Sequence, residues 1–158
     1  MKSGSTEPAQ AKPTRGNFVT GFPKKVKKRA RERAGRRCEY CLLPEHPSLA
    51  VATFHYDHII PKSAGGGNDQ ENCAYCCPRC NAAKWTYMHG ELAGKTVRLF
   101  NPRTDEWRNH FKLDPDSMEI IGLTEIGKAT VGVLQLNRPE ERLVMRKLLR
   151  DSGAYREI

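Results

Sequence analysis

The sequence predicts an α+β fold, and three observations carry that expectation. Two segments rich in β-branched and aromatic residues, 49–60 and 73–77, flank a loop holding Gly65, Gly66 and Gly67, and a helical segment follows directly. Six cysteines stand as three C-x-x-C pairs, Cys38–Cys41, Cys73–Cys76 and Cys77–Cys80, a spacing that lets one turn bring two thiolates to the same ion. After Gly94 the composition shifts to further short extended and helical pieces. A chain of 158 residues is one domain or a small core with attachments, and a module of ~60 residues within it needs a staple such as a structural metal.

The elements follow in chain order. Residues 1–22 are rich in Ser, Pro, Gly, Thr and Lys and read as a disordered tail. Their lack of an apolar stretch argues against a signal peptide. No apolar run reaches the ~18 residues that span a bilayer, so the protein is expected to be intracellular and cytoplasmic, with no membrane partner. In a reducing compartment, C-x-x-C pairs read as metal ligands before disulfides. From Pro23, "KKVKKRARERAG" holds good helix formers with a stop at Gly35, which predicts a short basic helix leading into Cys38. "LPEHPS" is a loop, "LAVATFHYDHII" a strand, "PKSAGGGNDQEN" the long loop and "CAYCC" the second strand. "NAAKWTYMHG" reads as a helix of about two turns starting near Asn81.

Beyond Gly94, "KTVRLF", "RNHFKL" and "MEIIGL" read as extended, and "TEIGKATVGVLQL" as a helix behind a Thr124 cap. Asn137 is expected to cap a last helix, with Leu143, Leu148 and Leu149 facing inward and an end at Gly153. Trp107, Phe111, Ile120, Ile121 and Leu123 are expected in the core of this part. The chain thus divides into a tail (1–22), a basic helix with the metal-stapled unit (23–93), and an accessory region (94–158).

The net charge of +9 is concentrated. Residues 24–37 hold nine Lys and Arg against Glu32 alone. Such a cluster attracts a polyanion, most often nucleic acid. A localisation signal or a solvated helix would account for it equally well.

Chemistry-bearing residues punctuate the strand–loop–strand–helix segment. Asp57–His58 sits where the first strand enters the loop, Asn72 stands at the loop's far end, and Asn81 lies at the first turn of the helix. In order, "DHIIPKSAGG", "EN" and "CPRCNAAK" resemble the HNH nuclease family, and in particular its zinc-containing branch. That branch has the pattern C-x-x-C … D-H-I-x-P … G-G … N … C-x-x-C-[HN]-x-x-K, which residues 38–84 fit at each point. Asn81 stands where many members have His, making this an H-N-N variant. "LFNPRTDEWRNHF" and "GLTEIGKATVGVLQLNRP" resemble a C-terminal extension of small stand-alone bacterial HNH proteins.

The resemblance implies a ββα-metal core stapled by a four-cysteine zinc site, with a small α+β extension. Spacing alone leaves open which pair joins Cys38 and Cys41. The resemblance selects Cys77 and Cys80, leaving Cys73 and Cys76 to pack as small hydrophobes. It further implies a metal-dependent endonuclease acting on double-stranded DNA. His58 would be the general base, since neutral imidazole accepts a proton near neutral pH. Asp57 and Asn81 would offer oxygens to a hard catalytic cation, Mg²⁺ or Mn²⁺, and Asn72 would bond the loop backbone and orient the His58 ring. Lys24, Lys25, Lys27, Lys28, Arg29, Arg31, Arg33 and Lys84 would contact phosphates. Strand alternation makes His55 a competitor to His58, whereas His46, His89 and His110 lack partners at ligand spacing. A second reading is a zinc-stabilised nucleic-acid-binding module without catalytic activity.

Overall fold

The computed structural model describes residues 21–47 and 53–155. The expected tail therefore lies outside the described residues except at its end, and there Phe22 is not solvated but buried against Ala30 and Cys73. Residues 49–52 of the expected first strand also lie outside them.

Helix α1, Lys24–Arg33, carries Lys at its first positions and no acidic residue in its first turn, an arrangement the helix dipole disfavours. Tertiary ties offset this. Arg31 forms a bidentate pair with Glu45, at 2.9 and 2.8 Å. Arg33 bonds Gln70 Oε1 at 3.0 Å and the Cys73 carbonyl at 2.6 Å. The helix stops where Gly35 and Arg36 turn left-handed. Gly35 N–H bonds Glu32 O at 3.0 Å and Arg36 N–H bonds Arg31 O at 3.1 Å, which satisfies its last carbonyls. The chain then enters the Cys38–Cys41 turn, closed by Cys38 N–H to Leu43 O and Leu42 N–H to Cys38 O, each 2.9 Å.

Strands β1, His55–His58, and β2, Cys73–Cys76, pair antiparallel with Asp57 opposite Ala74 and His58 opposite Cys73. Helix α2, Pro78–Lys84, follows at once. It begins three residues before Asn81, because Cys77 is its N-cap, with Sγ accepting from Cys80 N–H, and Pro78 fixes its first position. The expected helix does not continue past Lys84. His89–Leu92 is instead strand β3, paired with β4, Lys95–Arg98, across a two-residue turn. Ala93 and Gly94 both have positive φ there, as a tight hairpin turn requires. The boundary expected after residue 93 falls inside this turn.

A short helix α3, Trp107–His110, precedes β5, Phe111–Leu113, which pairs with β6, Ile120–Gly122. Helix α4, Glu125–Val133, starts behind Thr124, whose side chain accepts from Gly127 N–H. It packs on β6 so closely that a Cβ on Gly122 would collide with the α4 backbone at Gly127 and Lys128, and a Cβ on Gly127 would collide with the His110 carbonyl at the end of α3. Of the expected core, Phe111 and Ile120 are buried and Trp107 is partly buried, but Ile121 and Leu123 face solvent. The core runs without a break from Tyr40 and Phe54 through Phe100 and Phe111 to Leu134 and Leu136.

The last helix, α5, Glu141–Asp151, departs most from expectation. Glu140, not Asn137, is its N-cap. Asn137 instead clamps β6, accepting from Ile120 N–H at 2.8 Å and donating to Ile120 O at 2.9 Å. Leu148 is 61 % exposed, and the inward stripe is Arg142, Arg146 and Leu149. Arg146 is satisfied by backbone carbonyls of Met118 and Leu136 and by Asn137. Arg142 bonds the carbonyls of Leu134 and Gln135.

Candidate active site

Two sites are built from the ββα unit. In the first, Cys38 and Cys41 of the N-terminal turn meet Cys77 and Cys80 of the α2 N-terminus, all four buried and their sulfurs within 4.8 Å of one another. Cys41 Sγ and Cys77 Sγ are 3.8 Å apart. Four thiolates held about 2.3 Å from a zinc ion at tetrahedral angles would sit about 3.8 Å from each other, so the donor set and spacing suit Zn²⁺. Burial pushes the Cys38 and Cys80 thiols up, whereas hydrogen bonds from the other three cysteines pull Cys41 down. Cys73 and Cys76 stand apart. Cys73 packs beside Phe22 and Ala30, its thiol pushed up to about 11 by burial. Cys76 Sγ points to His55 O and Asn81 Oδ1, each at 3.8 Å.

The accessory region closes over this cluster. Arg142 Nη2 donates to Cys80 Sγ at 3.1 Å, and Tyr155 Oη donates to Cys41 O at 2.9 Å. No local pattern in the sequence signals either contact, since they join residues 62 and 114 positions apart.

The second site is an open pocket of about 320 Å³. Asp57, His58 and Asn81 line it together with Tyr56, Lys62, Ser63 and Trp85. His55 does not. Strand β1 ends at His58, and Asp57 and His58 project to opposite faces, yet both border the pocket at the strand's end.

Asp57 is 5 % exposed. Its Oδ2 accepts from Tyr40 Oη at 2.7 Å and pairs with Lys84 Nζ at 3.0 Å. Burial pushes the Asp57 carboxyl up, against the pull of the Lys84 charge and the Tyr40 bond. Lys84 is therefore not the surface cation expected from its spacing. It is 2 % exposed, engaged by Asp57, and bonded to His58 O at 3.0 Å. Its position on the inner face of α2, one turn beyond Asn81, directs it into the unit and away from solvent.

Asn72 bonds the loop backbone at three points. Its Oδ1 accepts from Ile60 N–H at 2.7 Å, and its Nδ2 donates to Ile60 O and Gly67 O, each at 2.9 Å. Gly66 makes room for this clamp, since a Cβ there would lie 1.8 Å from Ile60 O. The groups on the His58 ring are others. Nε2 meets Asn68 Oδ1 at 2.8 Å, and the Phe22 ring stacks at 4.0 Å between centroids.

The basic residues of α1 divide into two sets. Arg31 and Arg33 are structural ties, as described above. Lys24, Lys25, Lys28 and Arg29 are exposed, and Lys27 lies over the Tyr56 ring, 5.6 Å from its centroid. The helix begins beside the pocket, through Phe22 on His58 and through Gln70 Nε2 donating to Val26 O at 2.9 Å.

Among the described residues no helix is long and apolar enough to cross a membrane. Comparison with protein families matches residues 38–86 to the model described as HNH endonuclease. No curated protein matches the chain.

Proposed function

We propose, from the match of residues 38–86 to the HNH endonuclease model, that the protein hydrolyses phosphodiester bonds in double-stranded DNA, with His58 as general base and one divalent cation, Mg²⁺ or Mn²⁺. The observation that carries the proposal is the convergence of Asp57, His58 and Asn81 on one open pocket. When bound, a hard cation would stabilise charge building on the phosphate and the leaving oxygen. Asp57 and Asn81 would hold it through a carboxylate and an amide oxygen. The bonds to Asp57 from Tyr40 and Lys84 fall on Oδ2, so Oδ1 is the atom it would offer.

His58 supports its role through its tautomer. An amide oxygen only accepts, so Nε2 donates to Asn68 Oδ1, and in the neutral imidazole the lone pair would lie on Nδ1. Nδ1 would take the proton of the attacking water, while Phe22 and Asn68 fix the ring plane. The exposed cations of α1 would hold the DNA backbone.

A reading without catalysis, as a zinc-stabilised nucleic-acid-binding module, is favoured by one observation: Lys84 already neutralises Asp57. A supercoiled-plasmid assay with zinc-loaded protein separates the two, comparing added Mg²⁺, added Mn²⁺ and neither. Cation-dependent nicking or linearisation that disappears in His58→Ala, with DNA affinity within about threefold of the parent, is the expected result. DNA binding without cleavage under either cation selects the binding module.

A further inference from the structure

Trp85 is 67 % exposed, and it borders the pocket that Asp57, His58 and Asn81 line. It occupies the C-cap of α2 at φ 45° and ψ −116°, a backbone conformation that favours glycine and is an outlier for a bulky side chain. Its N–H is held by Asn81 O at 3.0 Å. Folding gains little from an indole that is mostly in solvent, so packing does not account for a tryptophan at a strained position. Its neighbour Tyr87, 49 % exposed, meets it edge to face with centroids 5.9 Å apart. Tyr87 borders the next cavity along the surface, together with the exposed Ile60. The two rings thus form an aromatic ridge at one wall of the proposed hydrolytic pocket.

We infer that Trp85, backed by Tyr87, is a stacking platform for an unpaired nucleobase beside the phosphodiester held in the pocket. The inference rests on the proposed function and deepens it, since it names DNA with locally unpaired bases as the favoured form of substrate. Three features specify a base as the occupant. The indole face is flat, polarisable and exposed, as base stacking requires. Lys62 and Ser63 line the same pocket, side chains of a kind that contacts phosphate. The basic helix α1 also reaches this pocket, through Lys27 over Tyr56 and through Phe22 on His58, so a polyanion held by the helix would lie beside the site that Trp85 borders. Orientation at one end of a nucleotide fixes the phosphate at the other, which is how such a contact would serve the reaction.

The test uses the zinc-loaded full chain without added Mg²⁺ or Mn²⁺, so that binding is read apart from cleavage. Trp85 and Trp107 are the two tryptophans, and Trp107 is partly buried with its Nε1 bonded to Tyr40 O. A thymidine 12-mer and a fully paired duplex of equal length are titrated, following tryptophan emission and the anisotropy of an end label. The 12-mer should quench emission, equally in Trp107→Phe and not in Trp85→Phe. Trp85→Ala should weaken its binding about 10- to 100-fold and duplex binding less than about threefold, with Trp85→Phe in between. Trp85→Gly, freed of the backbone strain, should melt no lower than the parent. Failure of the 12-mer to bind, bound 12-mer without quenching, or unchanged affinity in Trp85→Ala overturns the inference. Plasmid cleavage without quenching would reject the stack and leave hydrolysis standing. Quenching without cleavage under either cation would do the reverse.

Discussion

A buried lysine facing a buried aspartate at the edge of a pocket is an unusual use of charge, and Asp57–Lys84 sets the energetics of the site. Breaking a buried pair by removing one partner leaves the other charge without compensation. Lys84→Met should therefore cost about 3–5 kcal/mol in urea unfolding, and adding Asp57→Asn should recover part of it, a coupling that a double-mutant cycle measures. Asn72→Ala should cost about 1–3 kcal/mol, because the Ile60 and Gly67 groups it satisfies lose their partners. At this scale the meeting of Asp57, His58 and Asn81 at one pocket, and the Asn72 bonds to the loop backbone, were legible, because a motif fixes their order. Asn68 and Phe22 were not. An asparagine in a Gly-rich loop has no periodicity to mark it, and Phe22 closes a segment whose composition reads as unstructured. Their importance arises only when the fold brings them to the His58 ring. Lys84 misled for the opposite reason, since helical spacing places it one turn from Asn81 but does not say which way the face points.

At the scale of elements, α1 is a tether and, under the proposed function, also the surface that would hold the DNA backbone, and its residues separate the two jobs. Changing Lys24, Lys25, Lys28 and Arg29 to Gln should weaken DNA binding and flatten its salt dependence, by about 0.9 in slope for each phosphate no longer neutralised. Thermal stability should hardly change. Arg31→Gln should do the converse, loosening the helix from Glu45. The Arg31 guanidinium holds the Glu45 carboxyl below its ordinary range. A carboxyl depressed on folding stabilises the native state above its unfolded pKa and loses that contribution as pH falls through the folded one. The melting-temperature gap between parent and Arg31→Gln should therefore be full at neutral pH and narrow below the ordinary carboxylate range. The helices and strands that depart from the sequence expectation do so for separate physical reasons. Cys77 caps α2 with a thiol, a role sequence patterns do not assign to cysteine, so the helix start was placed too late. His89–Leu92 has little β-branched content, and only pairing with Lys95–Arg98 makes it a strand. In α5 the amphipathic reading sends arginines to solvent, but what faces this helix is a set of carbonyls and the Cys80 sulfur, so Arg142 and Arg146 turn inward and Leu148 turns out.

For the whole molecule, the four-cysteine cluster is the junction at which the N-terminal turn, α2 and the accessory region meet. Zinc removal by a chelator should abolish cooperative unfolding, since ligand binding of this kind is folding free energy. Cys77→Ser or Cys80→Ser should have the same effect, whereas Cys73→Ser should keep one zinc per chain, as metal analysis would show. Arg142→Met should speed zinc transfer to a colorimetric chelator while the far-ultraviolet spectrum stays that of the parent. The mixed architecture and the stapled ββα unit were legible because cysteine spacing and the order of motif residues encode them locally. The continuity of one core from Tyr40 to Leu136 was not, because it depends on contacts between segments that no local pattern relates. Arg142 reaches Cys80 across 62 positions of chain, and Tyr155 reaches Cys41 across 114. A chain emerging from the ribosome thus has all four sulfurs outside long before their cover is synthesised. During synthesis the four thiols would therefore be exposed to oxidants and competing ions until Arg142 and Tyr155 arrive to cover them.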